Sequence, residues 1–251
     1  MSKYIQDAMS REVLPVYTRI AEELRQNIHQ GIYKVGDKLP TEAQLSEYFS
    51  VNRHTLRRAI AILKTEGLVR VDRGRGTFVV GTPIKYLIGK RVRYNQTLIA
   101  QGQKPSFRLL QVVEIPADAS IAQGLEVEVG TPVALIERLV FADDQPINIA
   151  SSHFPLDRFP GIVEEEAIEF LREKGSISQL LREKYNSDHI RRTTHVYARI
   201  VRHEDASLLE VPLNHPILLA ESINVNQDGN IIEYGVTRFR GDRMELVFEN
   251  E

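Results

Sequence analysis

The segment at about residues 53–66 restricts the fold more than any other feature, because its apolar and basic side chains occupy separate arcs of a helix. At 100° per residue, four apolar side chains share one arc, and they are Leu56, Ala59, Ile60 and Leu63. Arg53, Arg57 and Lys64 lie within about 40° of one another on a second arc, with His54 beside them. The segment therefore predicts a helix with one packing face and one cationic face.

Capping residues predict two further helices before this segment. Apolar residues at steps of three and four predict a first helix that ends at Gly31. The Thr-x-x-Gln pattern from Thr41 to Gln44 is a capping box, so a short second helix is expected to begin there. Asn52 is a suitable cap for the third helix. The first part of the chain thus predicts three helices in succession.

Two short apolar runs after the third helix predict a β-hairpin. The runs cover residues 68–72 and 77–80, and Arg-Gly-Arg-Gly at 73–76 supplies the glycines that a tight link needs. The order of helix, helix, turn, helix and hairpin is typical of a winged helix-turn-helix. We assign residues 1–80 to this domain.

The charge distribution favours contact with nucleic acid by the same domain. The 251-residue chain has a net charge of −2, which by itself argues against such contact. Residues 1–80 nevertheless hold 13 Lys and Arg against 9 Asp and Glu, whereas the remainder holds 19 against 25. A basic helix face is usually only solvated, but here the cap, the turn and the hairpin accompany it in order. Because such a helix fits the major groove, we expect double-stranded DNA as a partner.

This domain resembles the GntR family of bacterial transcriptional regulators. The matching runs are residues 36–42, 51–57, 67–68 and 74–79. The resemblance implies DNA contacts from the third helix, near the start of the second helix and at the hairpin tip. The candidate DNA-contacting residues are Thr41, Arg53, His54, Thr55, Arg57, Arg73, Gly74, Arg75 and Gly76. Many members carry Arg where Ala43 stands, so one usual contact is missing.

The rest of the chain predicts a linker at 81–88 and one larger α+β domain at 89–251. This domain contains an internal repeat, since residues 122–147 share nine identities in 26 positions with residues 206–231. Each copy predicts a short helix, a turn and a two-stranded hairpin. Two related hairpins in one sheet would form a pseudo-symmetric cleft, which is a natural ligand site.

The larger domain resembles the UTRA effector domain of HutC-type regulators, which is similar in fold to chorismate lyase. The matching runs are residues 91–95, 101–105, 233–234 and 238–243, together with Phe248. Within that group the sequence is most similar to phosphonate-operon regulators of the PhnF type. The resemblance implies an antiparallel sheet with helices, and so an α+β fold for the chain.

The repeat and the family pattern together indicate a pocket for a small anion such as a phosphate or phosphonate. The candidate effector-binding residues are Arg93, Asn95, Arg138, Ser152, His153, Glu233, Thr237 and Arg240. Arg138 is the strongest of them, because an unpaired guanidinium in an apolar strand is costly to bury. Val140 stands where sugar-phosphate sensors tend to carry a second Arg, which weakens that class of ligand.

Three of these residues have a structural alternative. Arg240 is equally suited to brace a turn through Asp242, and His153 to pack in the core. Glu233 is also a candidate for a structural ion pair with an arginine. These alternatives stay open at the level of the sequence.

Several functional classes lack the residues that they need. The chain has no cysteine, and its seven histidines have no metal-ligand spacing, so we expect no metal or other cofactor. No apolar stretch is long enough to span a membrane and no secretory signal is present, so we expect a cytoplasmic protein with no membrane partner.

The leading hypothesis is a homodimeric transcriptional repressor that binds a pseudo-palindromic operator under the control of a small anionic effector. One alternative is an enzyme that uses Glu233 and His153 as an acid/base pair. The other is an architectural DNA-binding protein without effector control.

Overall fold

The computed structural model describes residues 14–72, 74–80, 83–91 and 94–248. By its internal contacts the chain divides into two compact units, Met1–Thr82 and Pro83–Glu251. The first unit carries the predicted helix-turn-helix, and the second carries the predicted sheet domain.

The first unit contains three helices followed by a hairpin. These elements are α1 (Val16–His29), α2 (Glu42–Tyr48), α3 (Arg53–Thr65), β1 (Val69–Asp72) and β2 (Gly76–Val79). The predicted capping box is present, since the Thr41 hydroxyl accepts a hydrogen bond from the Gln44 backbone amide and Gln44 Oε1 accepts one from the Thr41 backbone amide. Asn52 caps α3 by accepting a 2.8 Å hydrogen bond from the Thr55 amide.

The packing face of α3 is the one that the sequence predicts. All four of its apolar side chains are buried, and they are Leu56, Ala59, Ile60 and Leu63. They form one core with α1, α2 and both strands of the hairpin. The basic arc of α3 therefore faces away from this core.

The hairpin is attached to the segment that precedes α2. Strands β1 and β2 pair antiparallel, with Asp72 opposite Gly76 at the tip. The Leu39 amide donates to the Thr77 carbonyl, and the Val79 amide donates to the Asp37 carbonyl, both at 2.8 Å. These bonds make the segment a third strand-like edge of the wing.

The second unit is built on a six-stranded antiparallel sheet with helices on both faces. Its strands are β3 (Ile84–Leu87), β4 (Pro105–Pro116), β5 (Pro132–Ala142), β6 (Gln145–Pro155), β7 (Ile190–Ile200), β8 (Pro216–Val225), β9 (Ile231–Arg240) and β10 (Met244–Val247). Its helices are α4 (Tyr94–Ala100), α5 (Ala119–Leu125), α6 (Glu165–Lys174), α7 (Ile177–Tyr185) and α8 (His203–Leu208). The order in the large sheet is β4-β5-β6-β9-β8-β7, and β3 pairs with β10 in parallel.

Strand β3 lies inside the predicted linker at 81–88. Ile84 and Tyr86 are buried, whereas Lys85 and Leu87 are exposed, and the strand pairs with Met244–Val247. Its partner is distant in the chain, so the sequence around it did not show the pairing. Residues 84–87 are therefore part of the second unit.

The internal repeat appears as a symmetric arrangement of the sheet. Strands β4, β5 and β6 on one side match β7, β8 and β9 on the other, and the two halves meet where β6 pairs with β9. Glu126 and Glu210, 84 residues apart, follow α5 and α8, and both have a φ of 55°. The two predicted hairpins thus share one sheet.

The two faces of this sheet are covered differently. Helices α5 and α8 pack on the face that carries Val133 and Leu139 of β5. Helices α6 and α7 pack on the other face against Ala134 and Ile136, and α4 packs near Val140 on that same face. Part of the second face remains uncovered by helices, and the cavity described below lies there.

Candidate functional site

The cationic arc of α3 is open to solvent. Arg53, His54 and Arg57 are exposed, and Thr55 is half-buried. Arg57 Nε donates a 2.8 Å hydrogen bond to Glu42 Oε2, in a pair whose side chains remain 65% and 39% exposed. An exposed pair of this kind is worth about 1 kcal/mol or less, so Arg57 is readily released to another anion.

The tip of the wing carries a second exposed group of candidates. Gly74 and Arg75 are exposed, and the glycines at 74 and 76 have φ values of +75° and +124°, which favour glycine. Arg73 lies outside the described residues. Thr41 is exposed at the start of α2, although its hydroxyl already takes part in the capping box.

Lys38 belongs to the same basic surface, and the sequence analysis did not include it. A Cβ placed on Gly76 would lie 2.5 Å from Lys38 Cε, so the lysine crosses directly over the wing tip. Its backbone forms an isolated β-bridge with Phe78, and its side chain is exposed. The preceding turn residues gave no sign of this contact, because it depends on a bridge between segments 40 residues apart.

The second unit contains a cavity of about 1060 Å³ on the helix-poor part of its sheet. Its polar floor includes Arg138, Asn148, Ser152, Asn224, Glu233 and Thr237. The first turns of α4 and α7 also line it. Asn95 of α4 faces it and donates a 3.0 Å hydrogen bond to the Gly175 carbonyl. Five predicted effector residues thus share one cavity, whereas Arg93 lies outside the described residues.

Arg138 is a cation without a counterion. It makes no hydrogen bond or ion pair of 4.0 Å or less with any described residue, and its Nε is buried without a partner. Burial lowers the pKa of this guanidinium, while Glu233 and Tyr94 attract its charge from a distance. Since an arginine stays protonated at neutral pH, the cavity contains a positive charge that forms no ion pair with any described acid.

Glu233 lies in the same cavity and is held by three donors. His189 Nε2 lies 2.5 Å from Glu233 Oε2, and Asn224 Nδ2 donates to the same oxygen at 2.6 Å. Burial opposes ionisation, but attraction to His189 and hydrogen bonds from His189, Ser152 and Asn224 outweigh it and lower the pKa of Glu233 to about 2. The carboxylate is therefore ionised at neutral pH.

Two of the predicted effector residues do not reach the cavity. His153 follows Ser152 in β6 and so faces the opposite side of the sheet, where its Nδ1 lies 3.0 Å from the Tyr234 carbonyl. Glu233 is paired with His189 instead of His153, which removes the geometric basis of the acid/base alternative.

Arg240 is the second residue that the structure places elsewhere. Its guanidinium bonds Asp242 at 3.1 and 2.9 Å and the carbonyls of Pro146 and Leu209 at 3.3 Å, and it is 7% exposed. It braces the turn after β9, as the structural alternative in the sequence analysis states. Thr237 and Glu233 are odd-numbered residues of that strand, and Arg240 is even-numbered, so it points to the other face.

Several cavity residues were missed from the sequence, and Tyr94, Asn148, His189 and Asn224 are among them. Asn148 is 1% exposed and its Nδ2 donates a 2.5 Å hydrogen bond to the Tyr94 hydroxyl. His189 directly precedes β7, on the far edge of the sheet from β5. Their proximity depends on strand order, which no local pattern encodes.

Within the described part of the chain, no group of three or more His, Cys, Asp or Glu could hold a metal ion. None of the helices in that part is long and apolar enough to cross a membrane.

Comparison with known proteins identifies both units. Residues 16–79 match the family described as bacterial regulatory proteins, gntR family, and residues 100–245 match the UTRA domain. The probable transcriptional regulator PhnF of Escherichia coli (strain K12) is 32% identical, over 93% of this chain and 95% of that protein.

Two further proteins extend this comparison. The transcriptional repressor NagR of Bacillus subtilis (strain 168) is 28% identical, over 93% of this chain and 94% of that protein. The crystal structure of PhnF from Mycobacterium smegmatis aligns with a TM-score of 0.62 and 27% identity, over 92% of this chain and 99% of that one. Both units, their order and the full-length relatives agree, and the chain belongs to the gntR family of bacterial transcriptional regulators with a C-terminal UTRA domain.

Proposed function

We propose that this regulator is a repressor whose hold on its operator is released by a small anionic ligand in the cavity of the second unit. The observation that carries the ligand assignment is Arg138, a half-buried cation whose Nε is buried without a partner and which pairs with no counterion among the described residues. A phosphate or phosphonate group supplies the missing charge and accepts several hydrogen bonds from a guanidinium.

Other donors lie where such an anion would bind. Thr237 occupies the same level of the sheet as Arg138, because both pair with Ala150 of β6. The Tyr94 hydroxyl accepts from Asn148, which leaves its own hydrogen to donate, and burial raises its pKa well above 10, so it stays protonated. Arg138, Thr237 and Tyr94 therefore form our anion site.

DNA binding is assigned to α3 and the wing. The start of α3 would contact base edges in the major groove through Arg53, His54, Thr55 and Arg57. The wing tip would contact the adjacent phosphate backbone or the minor groove. Thr41, Gly74, Arg75 and Gly76 complete our candidate set on the described residues, and we add Lys38 as a phosphate contact. A homodimer would place two such units on a pseudo-palindromic operator.

The repressor role is supported by two considerations. The relative NagR bears the name of a repressor. A ligand that neutralises Arg138 also acts beside Tyr86 and Ile88, which line the cavity and lie directly after the boundary between the units. A change at this wall would alter the preferred placement of the DNA-binding units and reduce operator affinity.

The test measures release of a DNA duplex that the full-length protein has itself selected from a random pool. Fluorescence anisotropy is recorded with inorganic phosphate, methylphosphonate and ethylphosphonate, for the unaltered protein and for Arg138→Gln. We expect at least one of these anions to weaken duplex binding of the unaltered protein, and Arg138→Gln to need about tenfold more of it, since charged hydrogen bonds contribute about 1.5–3 kcal/mol.

Arg108→Gln is the matched control, because Arg108 is exposed on β4 and does not line the cavity. Thermal melting checks that each variant is folded. An Arg138→Gln protein that responds to the anion as well as the unaltered protein would place the ligand site elsewhere.

A further inference from the structure

The cavity contains a second subsite that presents only hydrogen-bond acceptors. Asn224 is 4% exposed, and its Nδ2 donates to Glu233 Oε2 at 2.6 Å. This bond fixes the orientation of the amide, because the carboxylate accepts only from the NH2 group. The other amide atom, Asn224 Oδ1, is buried and has no hydrogen-bond partner among the described residues. A buried acceptor in this state requires a donor from outside the protein.

The histidine that shares Glu233 with Asn224 cannot supply that donor. His189 uses its Nε2 on Glu233, and its Nδ1 lies 2.8 Å from the Ser178 hydroxyl. Both ring nitrogens are therefore engaged. Water could satisfy one acceptor, but the negative charge of the adjacent Glu233 favours a cation that donates several hydrogen bonds.

There is room for such a group above the carboxylate. Gly235 follows Glu233 by two positions in β9, so both lie on the same face of the sheet. A Cβ placed on Gly235 would lie 3.6 Å from Glu233 Oε1. With glycine at this position no side chain covers that oxygen from the β9 side. Asn224 Oδ1, which lies beside the ionised carboxylate of Glu233, thus forms a donor-seeking subsite on the cavity floor.

This subsite is separate from the cation on β5. Arg138 lies level with Thr237 of β9, and Glu233 is four residues further along that strand, which corresponds to roughly 13 Å of strand length. Strands β5 and β9 are also separated by β6, which adds roughly 10 Å between backbones. The side chains of Arg138 and Glu233 attract each other without forming an ion pair. One cavity therefore holds a cation on β5 and, at a separate place, a carboxylate on β9 that pairs with His189 and not with Arg138.

We propose that the ligand is dipolar, with an anionic group at Arg138 and a protonated amine at Glu233 and Asn224. An amine donates up to three hydrogen bonds, which satisfies Asn224 Oδ1 and places its charge against the carboxylate. Such a ligand pairs with Arg138 and satisfies the unpartnered Asn224 oxygen in one binding event. This assignment rests on the proposed function, since it places both groups in the same effector cavity.

The experiment uses pairs of compounds that differ only in the amine. Isothermal titration calorimetry on the full-length protein compares aminoalkylphosphonates, with one to four carbon atoms between the two groups, with alkylphosphonates of the same chain length. We expect the amine to improve affinity about tenfold or more in at least one pair, as a charged hydrogen bond between buried groups does. Glu233→Gln should reduce that ratio to about one, because its amide adds a donor and removes the charge.

Glu221→Gln is the control, because it makes the same chemical change on β8 at a residue that does not line the cavity. If Glu233→Gln does not fold, Asn224→Ala removes the unpartnered oxygen while it keeps the carboxylate, and the same loss of preference is expected. A ratio of about one in every pair for the unaltered protein would overturn the dipolar ligand.

The results separate this inference from the proposed function. If both series of compounds bind equally well and Arg138→Gln abolishes their binding, the anion site is supported and the amine subsite is overturned. An amine preference that persists in Glu233→Gln also overturns it. Absence of binding by both series contradicts both proposals.

Discussion

The arginines of the two units lie in opposite environments. In the first unit Arg53 and Arg57 are exposed, and Arg57 is held only by an exposed pair with Glu42. In the second unit Arg240 is buried among four acceptor atoms, whereas Arg138 is half-buried and has no acceptor among the described residues. An exposed cation contributes little to folding and stays available to phosphates, whereas a buried one must be compensated. The comparison teaches that a DNA-reading surface can change without cost to the fold, while a buried charge serves either stability or a ligand.

The largest expected effect is on stability, and it comes from Arg240→Ala. The change removes the guanidinium that donates to Asp242 and to the carbonyls of Pro146 and Leu209, so the unfolding free energy of the second unit should fall by about 3–5 kcal/mol. Arg57→Ala should cost about 1 kcal/mol or less. Urea denaturation of both variants checks this contrast, and losses of similar size would break the comparison.

The reverse contrast is expected for operator binding. Arg53→Ala and Arg57→Ala should each lower affinity for the selected duplex about 100-fold or more, because the proposed homodimer would lose two base contacts worth about 1–3 kcal/mol apiece. Arg58→Ala is the control on the same helix, since that guanidinium lies 3.9 Å from the centroid of the Tyr17 ring. Affinity is measured by anisotropy, and native mass spectrometry checks that the dimer persists. Normal affinity in both α3 variants would contradict the assignment of the recognition helix.

Acid should weaken the second unit through Glu233. Its pKa is lowered from an ordinary 4.5 to about 2, so the ionised form stabilises the folded state above about pH 4.5, and this stability is lost as the pH falls towards 2. The loss is on the order of 2–3 kcal/mol. In the unaltered protein the urea concentration at the midpoint of unfolding should fall between pH 4.5 and pH 2. This fall should be smaller in Glu233→Gln and unchanged in Glu221→Gln.

Other carboxyl groups limit how flat the profile becomes. Burial raises the pKa of Asp242, but hydrogen bonds from His215 and Arg240 outweigh it and leave the pKa well below its ordinary value. Asp242 therefore also loses stabilising charge in acid, and some pH dependence should remain in Glu233→Gln. An unchanged pH profile in that variant would show that the pKa of Glu233 is the same in the folded and unfolded states.

The smallest effect expected is a change in the salt dependence of DNA binding. Log affinity should fall linearly with log salt concentration, with a slope of about −0.9 for each phosphate neutralised. Lys38→Gln should reduce the steepness by about one for each copy that contacts DNA, with little change in sequence preference. Lys184→Gln, on α7 of the second unit and paired with Glu166, is the control. A flat salt dependence in the unaltered protein would contradict the electrostatic assignment of the first unit.

Local sequence patterns predicted most of the fold. The capping box at Thr41, the Asn52 cap and the two arcs of α3 are all present, because each depends on residues within one or two helical turns. The repeat also predicted the paired hairpins of the large sheet. The pairing of Ile84–Leu87 with β10 was not predictable in this way, because its partner is 160 residues distant.

The candidate cavity was predictable only in part. Period-two alternation separates Ser152 from His153 and Thr237 from Arg240, so those four residues cannot all face one side of a sheet. That rule was available from the sequence and would have removed two candidates. It could not have brought His189 and Asn224 to Glu233.

The sequence by itself therefore determined the two-unit organisation, the helix caps, the split of charge on α3 and the repeat, since these are set by neighbouring residues or by direct internal similarity. Tertiary structure alone decided which buried charges meet. Strand order places β7 and β8 beside β9, so that His189 and Asn224 hold Glu233, whereas Arg138 on β5 forms no ion pair with an acid in the described part of the chain. The physical reason is that a charge is compensated by whatever lies within a few ångströms of it, and in a sheet that distance is fixed by strand order and register.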